Sequence, residues 1–282
     1  MQEKAHQKTH LVAVAVVAVV AAAAALLQAV VGAFPIEFLA FPMNIVVAVL
    51  WLLLLSELYR RHTNSPIAKF LLSQQATYLA LICAVVGGVA VGVAHAEIAR
   101  SWWFLAMLLF VMSHLVMITL RGWRNREGVR WRFLLNHAGL LVALFAGFWG
   151  AADVEELRVP LVAGRPTAEA YVREGRTILL DYEMELLDFE SAYYDNGTPS
   201  DFAAEVKVDG VVTTLRVNSP YRVRLGEDIY LVNYEKDLVG RTRCVVQIVR
   251  DPWQAVLAAG IAMMLAGAML MFLQGARKGV ER

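Results

Sequence analysis

Hydrophobic positions follow two rhythms along this chain. Up to Ala152 they form long unbroken blocks, from Asp153 to Asp251 they alternate with polar residues, and after Trp253 a last block returns. A helix needs about 20 apolar residues to cross a bilayer. Six blocks approach or exceed that length: Leu11–Ala33, Phe38–Leu55, Tyr78–Ala94, Trp102–Leu120, Phe133–Ala152 and Ala255–Leu273. The first is too long for the apolar core of a cleaved leader, so it predicts a retained helix. The second follows a tight Phe34-Pro35 turn, and the Gly87-Gly88 pair in the third lets a neighbouring helix come close.

The alternating region predicts strands over Thr177–Met184, Phe202–Val208, Thr213–Val217, Tyr221–Arg224, Asp228–Tyr234 and Cys244–Arg250. Asn196-Gly197 and Asp209-Gly210 are turn dipeptides, and the second, between strand-like runs, predicts a hairpin. The expected fold is a membrane α-helical bundle of six transmembrane helices with an antiparallel β-rich domain of sandwich or barrel type. Residues 1–152 would form a five-helix region, 153–251 the β domain, and 252–282 the sixth helix and tail.

Charge then orients the bundle. Lys4 and Lys8, Arg60, Arg61 and Lys69, Arg121, Arg124, Arg126, Arg130 and Arg132, and Arg277, Lys278 and Arg282 fall on one side of a six-span chain, 13 against Arg100 on the other. That asymmetry predicts cytoplasmic termini and places the β domain in the periplasm of a multi-pass inner-membrane protein. The segment 153–251 holds 12 basic and 19 acidic residues, a net of −7, which suits a solvated domain and disfavours lying flat on anionic lipid.

Composition adds exclusions. The chain is 59% hydrophobic, beyond the usual soluble half. A net charge of +1 gives no footprint for nucleic acid, so membrane lipid is the expected surrounding. Cys83 lies in an apolar block and Cys244 in a strand-like run, so there is no disulfide framework and no cysteine metal motif. The β region contains no histidine, no nucleophile–base pair and no glycine-rich phosphate loop, so no catalytic residues are expected there.

Six histidines remain. His6, His10 and His62 fall in cytoplasmic segments and read as solvated, and His95 sits at the outer end of the third span. His114 lies near the middle of the fourth span and His137 about one turn into the fifth. Histidine inside a span is costly and faces protein, water or ligand. An interhelical hydrogen bond accounts for either residue, and so does axial ligation of haem iron. Asn136 adds a polar group beside His137, and Gly139, Gly147 and Gly150 leave a smooth surface suited to a helix or a flat ligand.

Several stretches resemble one family. Phe133-Leu-Leu-Asn-His137-Ala-Gly-Leu140, running on to Gly150-Ala-Ala-Asp153, resembles the histidine-bearing span of ResB/CcsB-type cytochrome c biogenesis proteins. Leu187-Asp-Phe189 with Tyr193-Tyr-Asp-Asn-Gly-Thr-Pro-Ser200 is similar to the F-x-x-E-x-Y-x-N-G-x-P segment of its Bacteroidetes-like members, with Glu190 shifted to follow Phe189 directly. Asp251-Pro-Trp253 resembles the family's lead into its terminal span, and Phe41-Pro-Met-Asn44 is also similar. The resemblance implies system II cytochrome c maturation. There, ResB/CcsB works with a CcsA-type partner to carry haem outward and present it to apocytochrome c for thioether formation at CxxCH. It implies that His137 is a haem axial ligand; His114, a weaker candidate, has no support from the motif. The tryptophan-rich segment of the CcsA half is missing, since Trp102-Trp103 are followed by Phe104, so this chain reads as the unfused CcsB half. It would act as a component of a haem-ligating synthase complex and share its haem with the partner.

Two other readings stand beside this one. In the first, the chain is a non-enzymatic membrane scaffold or sensor whose β domain binds another extracytoplasmic ligand. In the second it is a transporter, which the few ionisable groups in the spans and the lack of an inverted repeat disfavour.

Overall fold

The computed structural model describes residues 2–94, 96–123, 130–172, 175–193, 196, 199–236 and 242–274; the side chains of 2–16 and of a few residues beside the gaps are outside the description. The chain divides into two units: 1–152 with 256–282, and 153–255.

The first unit is helical. Its elements are α1 (Gln2–Val31), α2 (Met43–Arg61), α3 (Pro66–Leu71), α4 (Gln74–Ala94), α5 (Ala96–Ala99), α6 (Trp102–Trp123), α7 (Trp131–Leu144) and, after the β region, α8 (Gln254–Gln274). Among the described residues five helical stretches are long and apolar enough to cross a membrane: 43–61, 74–93, 102–123, 131–153 and 254–273. The described apolar part of α1 is Val17–Val31, shorter than a crossing. By this length and apolarity the chain is a membrane protein.

The second expected span begins later than its apolar run, because Ile36–Leu39 winds as a separate 3-10 turn. The fifth is not uniform either, for α7 passes into a π-helical turn at Phe145–Trp149 and a 3-10 turn at Gly150–Asp153. Of the glycine pair in α4, only Gly87 meets a neighbour, the side chains of Met107 and Phe104 on α6; nothing lies within 4 Å of a Cβ on Gly88. A close backbone approach lies elsewhere, between α7 and α8. A Cβ on Gly139 would lie 2.7 Å from the Gly260 carbonyl oxygen, and one on Gly260 would lie 2.7 Å from the Ala143 nitrogen. These are backbone atoms, so only glycine permits that contact.

The second unit is one antiparallel sheet of eight strands: β1 (Glu155–Val162), β2 (Thr167–Val172), β3 (Thr177–Tyr193), β4 (Pro199–Val208), β5 (Val211–Arg216), β6 (Tyr221–Arg224), β7 (Glu227–Lys236) and β8 (Thr242–Arg250). Their order is β5-β4-β3-β2-β1-β8-β7-β6. One face is dry. Leu157, Val159 and Leu161 of β1, Met184 and Leu186 of β3, Val206 of β4, Leu215 of β5, and Val246 and Ile248 of β8 are fully buried in a single cluster. Each such aliphatic side chain contributes about 1.5–3 kcal/mol. β5, at one end of the order, approaches β7 near the other, so the sheet curls to enclose its own core. The Asp209-Gly210 hairpin forms as expected, with positive φ at both residues joining β4 to β5. Asn196 lies in a turn; its partner Gly197 is outside the described residues.

Two strands are additional to the expected six, β1 and β2. β1 pairs with β8 over its whole length, from Glu155 opposite Arg250 to Val162 opposite Arg243. The first and last strands are therefore neighbours, which brings the two ends of the domain together.

Candidate functional site

His137 sits on the second turn of α7, one turn above Phe133. Their rings stack at 3.9 Å between centroids and 27° between planes. The His137 Nδ1 lies 2.8 Å from the Phe133 carbonyl oxygen. A carbonyl only accepts, so Nδ1 carries the proton and a neutral ring leaves the Nε2 lone pair bare. Metal-ligating imidazoles are prepared in this way, with the second nitrogen donating to a carbonyl. Phe133 is fixed in turn by α6, where a Cβ on Gly122 would fall 2.6 Å from its ring. His137 is half-buried, so its ring is not sealed in the core. Asn136, the next residue round the helix, turns to α8; its Nδ2 donates to the Arg132 carbonyl at 2.7 Å and meets the Met271 sulfur at 3.7 Å.

His114 is placed differently. It is 3% exposed, and its Nδ1 lies 2.8 Å from the carbonyl oxygen of Leu71, at the end of α3. Arg121, two turns along α6, donates to the Leu72 carbonyl at 3.0 Å. Together they satisfy carbonyls at the C-terminus of α3 that its own turns leave open. The His114 Nε2 has no hydrogen-bond partner among the described residues. The contact of His114 with the Leu71 carbonyl makes it a latch on α3. His62 is exposed, while His95 and the side chains of His6 and His10 lie outside the described residues.

The Phe41-Pro-Met-Asn44 stretch also finds a partner. Asn44 is fully buried at the start of α2, and its Nδ2 approaches the Trp149 carbonyl at 3.5 Å. Trp149 closes the π-helical turn of the α7 segment and packs against Trp51, whose indole donates to the Ser113 hydroxyl at 3.2 Å. A π turn disturbs the regular carbonyl ladder, and Asn44 meets one of the groups it displaces.

The β domain has its own polar centre, which its sequence did not disclose. Glu227, 3% exposed at the side chain, accepts from the Tyr182 hydroxyl at 2.6 Å and from Arg224 Nε at 2.7 Å, with Arg250 at 3.3 Å. Burial pushes the Glu227 carboxyl up, but Tyr182, Arg224 and Arg250 outweigh it and hold its pKa below the usual range. Arg224 also grips Asp181 through two nitrogens. Beside it, Arg222 donates twice to Asp228 and holds that carboxyl's pKa down. Gln254, the first residue of α8, donates to Asp228 at 3.0 Å and accepts from the Gly226 amide at 3.1 Å. Gly226 has φ +81°, and a Cβ there would lie 2.6 Å from the Asp251 carbonyl oxygen, so this turn requires glycine. Every charge in the cluster has an opposite neighbour, and no group of three or more metal-ligating residues occurs among the described residues. The cluster braces the domain through these ion pairs.

The Asp251-Pro-Trp253 motif gains a mechanical meaning here. Asp251 Oδ1 accepts from the Trp253 amide at 2.8 Å, and the Trp253 indole donates to Asp153 at 2.6 Å. The bond ties Asp153, two residues before β1, to the residue preceding α8. Cys244 lies 1% exposed in the core, and burial pushes its thiol up to about 12. It is expected to stay unmodified by maleimide in the native protein and to react only after denaturation; labelling followed by mass spectrometry checks this.

Residues 121–245 match the ResB-like family. The matched stretch runs from the end of α6 through α7 into β8, and so includes His137 and almost the whole sheet. No curated protein matches the chain. Among solved structures it is similar to a cytochrome c haem lyase, CcmF, at a TM-score of 0.33 and 13% identity, over 70% of this chain and 34% of that one. The chain thus spans about a third of the length of that protein.

Proposed function

We propose that this chain is the CcsB-like subunit of a system II cytochrome c maturation complex. In this reading it helps carry haem across the inner membrane and presents it, with apocytochrome c, for covalent attachment at CxxCH. Support comes from the ResB-like match and, above all, from one observation: the His137 Nδ1 is held by a backbone carbonyl, and no hydrogen bond to its Nε2 occurs among the described residues. The donor present fits iron ligation. Haem, when bound, supplies the vinyl groups that become thioethers; this chain's own part would be to hold the iron through His137. The second ligand would come from a CcsA-type partner. The β domain, braced on its own ion pairs, would serve as a platform on the periplasmic side, with both termini cytoplasmic.

His137→Ala, purified with its partner, is expected to lose most of the Soret absorbance per complex, and added imidazole should restore part of it. His114→Ala should keep the band. Equal haem occupancy and an unchanged reduced spectrum in His137→Ala would remove the ligand role.

A further inference from the structure

The chain leaves one span-length apolar stretch at Asp153 and enters another at Gln254, so the residues just outside those two points stand at the bilayer surface. Trp253, beside the second, is a residue type that favours this level. The turn between β6 and β7 is fastened to the same point. Its Gly226 carbonyl accepts from the Asp251 amide at 2.7 Å, and its Gly226 amide donates to the Gln254 side chain at 3.1 Å. The residue before that glycine is Leu225, and it is 70% exposed. A single open leucine is ordinary on a soluble surface. On a turn tied to the first residue of a span, its surroundings are lipid.

Leu225 also lines an open cleft of about 380 Å³, within the size range of small-molecule sites. The charges of the cleft are mixed: Arg224 and Arg250 stand among Asp153, Glu155, Glu227 and Asp251. Arg224 is taken up by Asp181 and Glu227, each at 2.7 Å. Arg250 keeps donors in reserve. Its hydrogen bond to Glu227 is 3.4 Å long, and its Nη1 lies 3.9 Å from Glu155, beyond hydrogen-bond reach. The Glu155 side chain is 59% exposed, and Arg250 is its one ion-pair partner among the described residues. The cleft thus sets a guanidinium and an open carboxylate a few ångströms apart, beside an apolar tip. A purely anionic ligand would meet the surplus of carboxylates, and a bare cation would meet the arginines. A zwitterion with a phosphate next to an ammonium answers both charges.

We propose that this cleft binds the headgroup of a phospholipid carrying a primary ammonium, with the phosphate on Arg250, the ammonium on Glu155, and Leu225 against the apolar end of the lipid. The ammonium brings three N–H donors to a site rich in carboxylate acceptors, which a quaternary or uncharged headgroup does not. A lipid held there would seat the β6–β7 turn at a fixed depth in the bilayer surface. The site is independent of the haem reading, since it uses neither His137 nor a partner chain.

The test titrates the full chain in detergent with phosphatidylethanolamine or phosphatidylglycerol of the same acyl chains and counts bound lipid by native mass spectrometry. Other lipids coat the spans, so the difference between the wild type and Glu155→Gln isolates the cleft. The wild type is expected to hold the ethanolamine lipid about fivefold more tightly than the glycerol lipid, and Glu155→Gln should remove that preference. Leu225→Ser should weaken binding of the ethanolamine lipid about tenfold while leaving thermal unfolding in lipid-free detergent unchanged. Glycerophosphoethanolamine, which has the headgroup without the acyl chains, should not displace the lipid at equal concentration. Equal binding of the two lipids by the wild type, a preference that survives Glu155→Gln, or displacement by glycerophosphoethanolamine would each overturn the proposal.

Discussion

Replacing Glu227 by alanine is expected to destabilise the β domain by about 3–5 kcal/mol, because it strips the shared partner from Arg224, Arg250 and Tyr182. For a unit of this size that shifts the midpoint of thermal unfolding by at least ~10 °C. Pulse proteolysis of the whole chain in detergent, scored by cleavage within 153–251, reads the change. Glu227→Gln should lose less, since the amide oxygen still accepts from Tyr182. The same group sets a pH dependence. Its folded pKa lies below the ordinary glutamate value, so its contribution is present at neutral pH and vanishes as pH falls through the carboxylate range, below ~4.3. Asp181 and Asp228, both held down by arginine, act in the same direction. The wild-type domain should therefore lose stability on acidification more steeply than Glu227→Gln. Equal slopes would show that the cluster is not the acid-sensitive element.

The second large effect is expected at the α7–α8 contact. Gly260→Val puts side-chain carbon where the Ala143 nitrogen lies 2.7 Å and the Gly139 oxygen 2.8 Å from the new Cβ. Neither backbone atom can yield without moving a helix. Overpacking by a single methyl costs about 1–3 kcal/mol, and valine adds two more. The variant should give little monodisperse protein in size-exclusion chromatography. Gly88→Ala and Gly147→Ala, with nothing within 4 Å of the new Cβ, should behave as wild type. The comparison separates a packing effect from a general intolerance of glycine replacement, and a normal elution profile for Gly260→Val would refute the contact.

The strands that went unread show where pattern fails. β1 carries Pro160 in its middle, which argues against a central strand. It is tolerated because the ladder to β2 stops at Arg158, before the proline. β2 is short, with Ala168, Glu169 and Ala170 where β-branched residues would have marked it. The brace was equally invisible. Tyr182, Glu227 and Arg250 are far apart in the chain, and only pairing of β7 with β8, which sets Glu227 opposite Arg250, brings their charges together.

Local signals sufficed for the rest. The apolar blocks predicted the long helices because a bilayer imposes a length; the described structure supports five of the six as long enough, with α1 described in part. Alternation predicted most strands because one face must be dry, and Asp209-Gly210 predicted its turn because few residues accept positive φ. His137 and His114 both stood out because an imidazole in a span is costly, and only the motif resemblance set His137 ahead. Tertiary structure adds how each is held: His114 is enclosed against the end of α3, whereas His137 is half-buried on a stacked ring with its Nδ1 on a backbone carbonyl. A residue's type determines which chemistry it can perform; its packing, set by residues distant in sequence, decides which of its atoms is left to perform it.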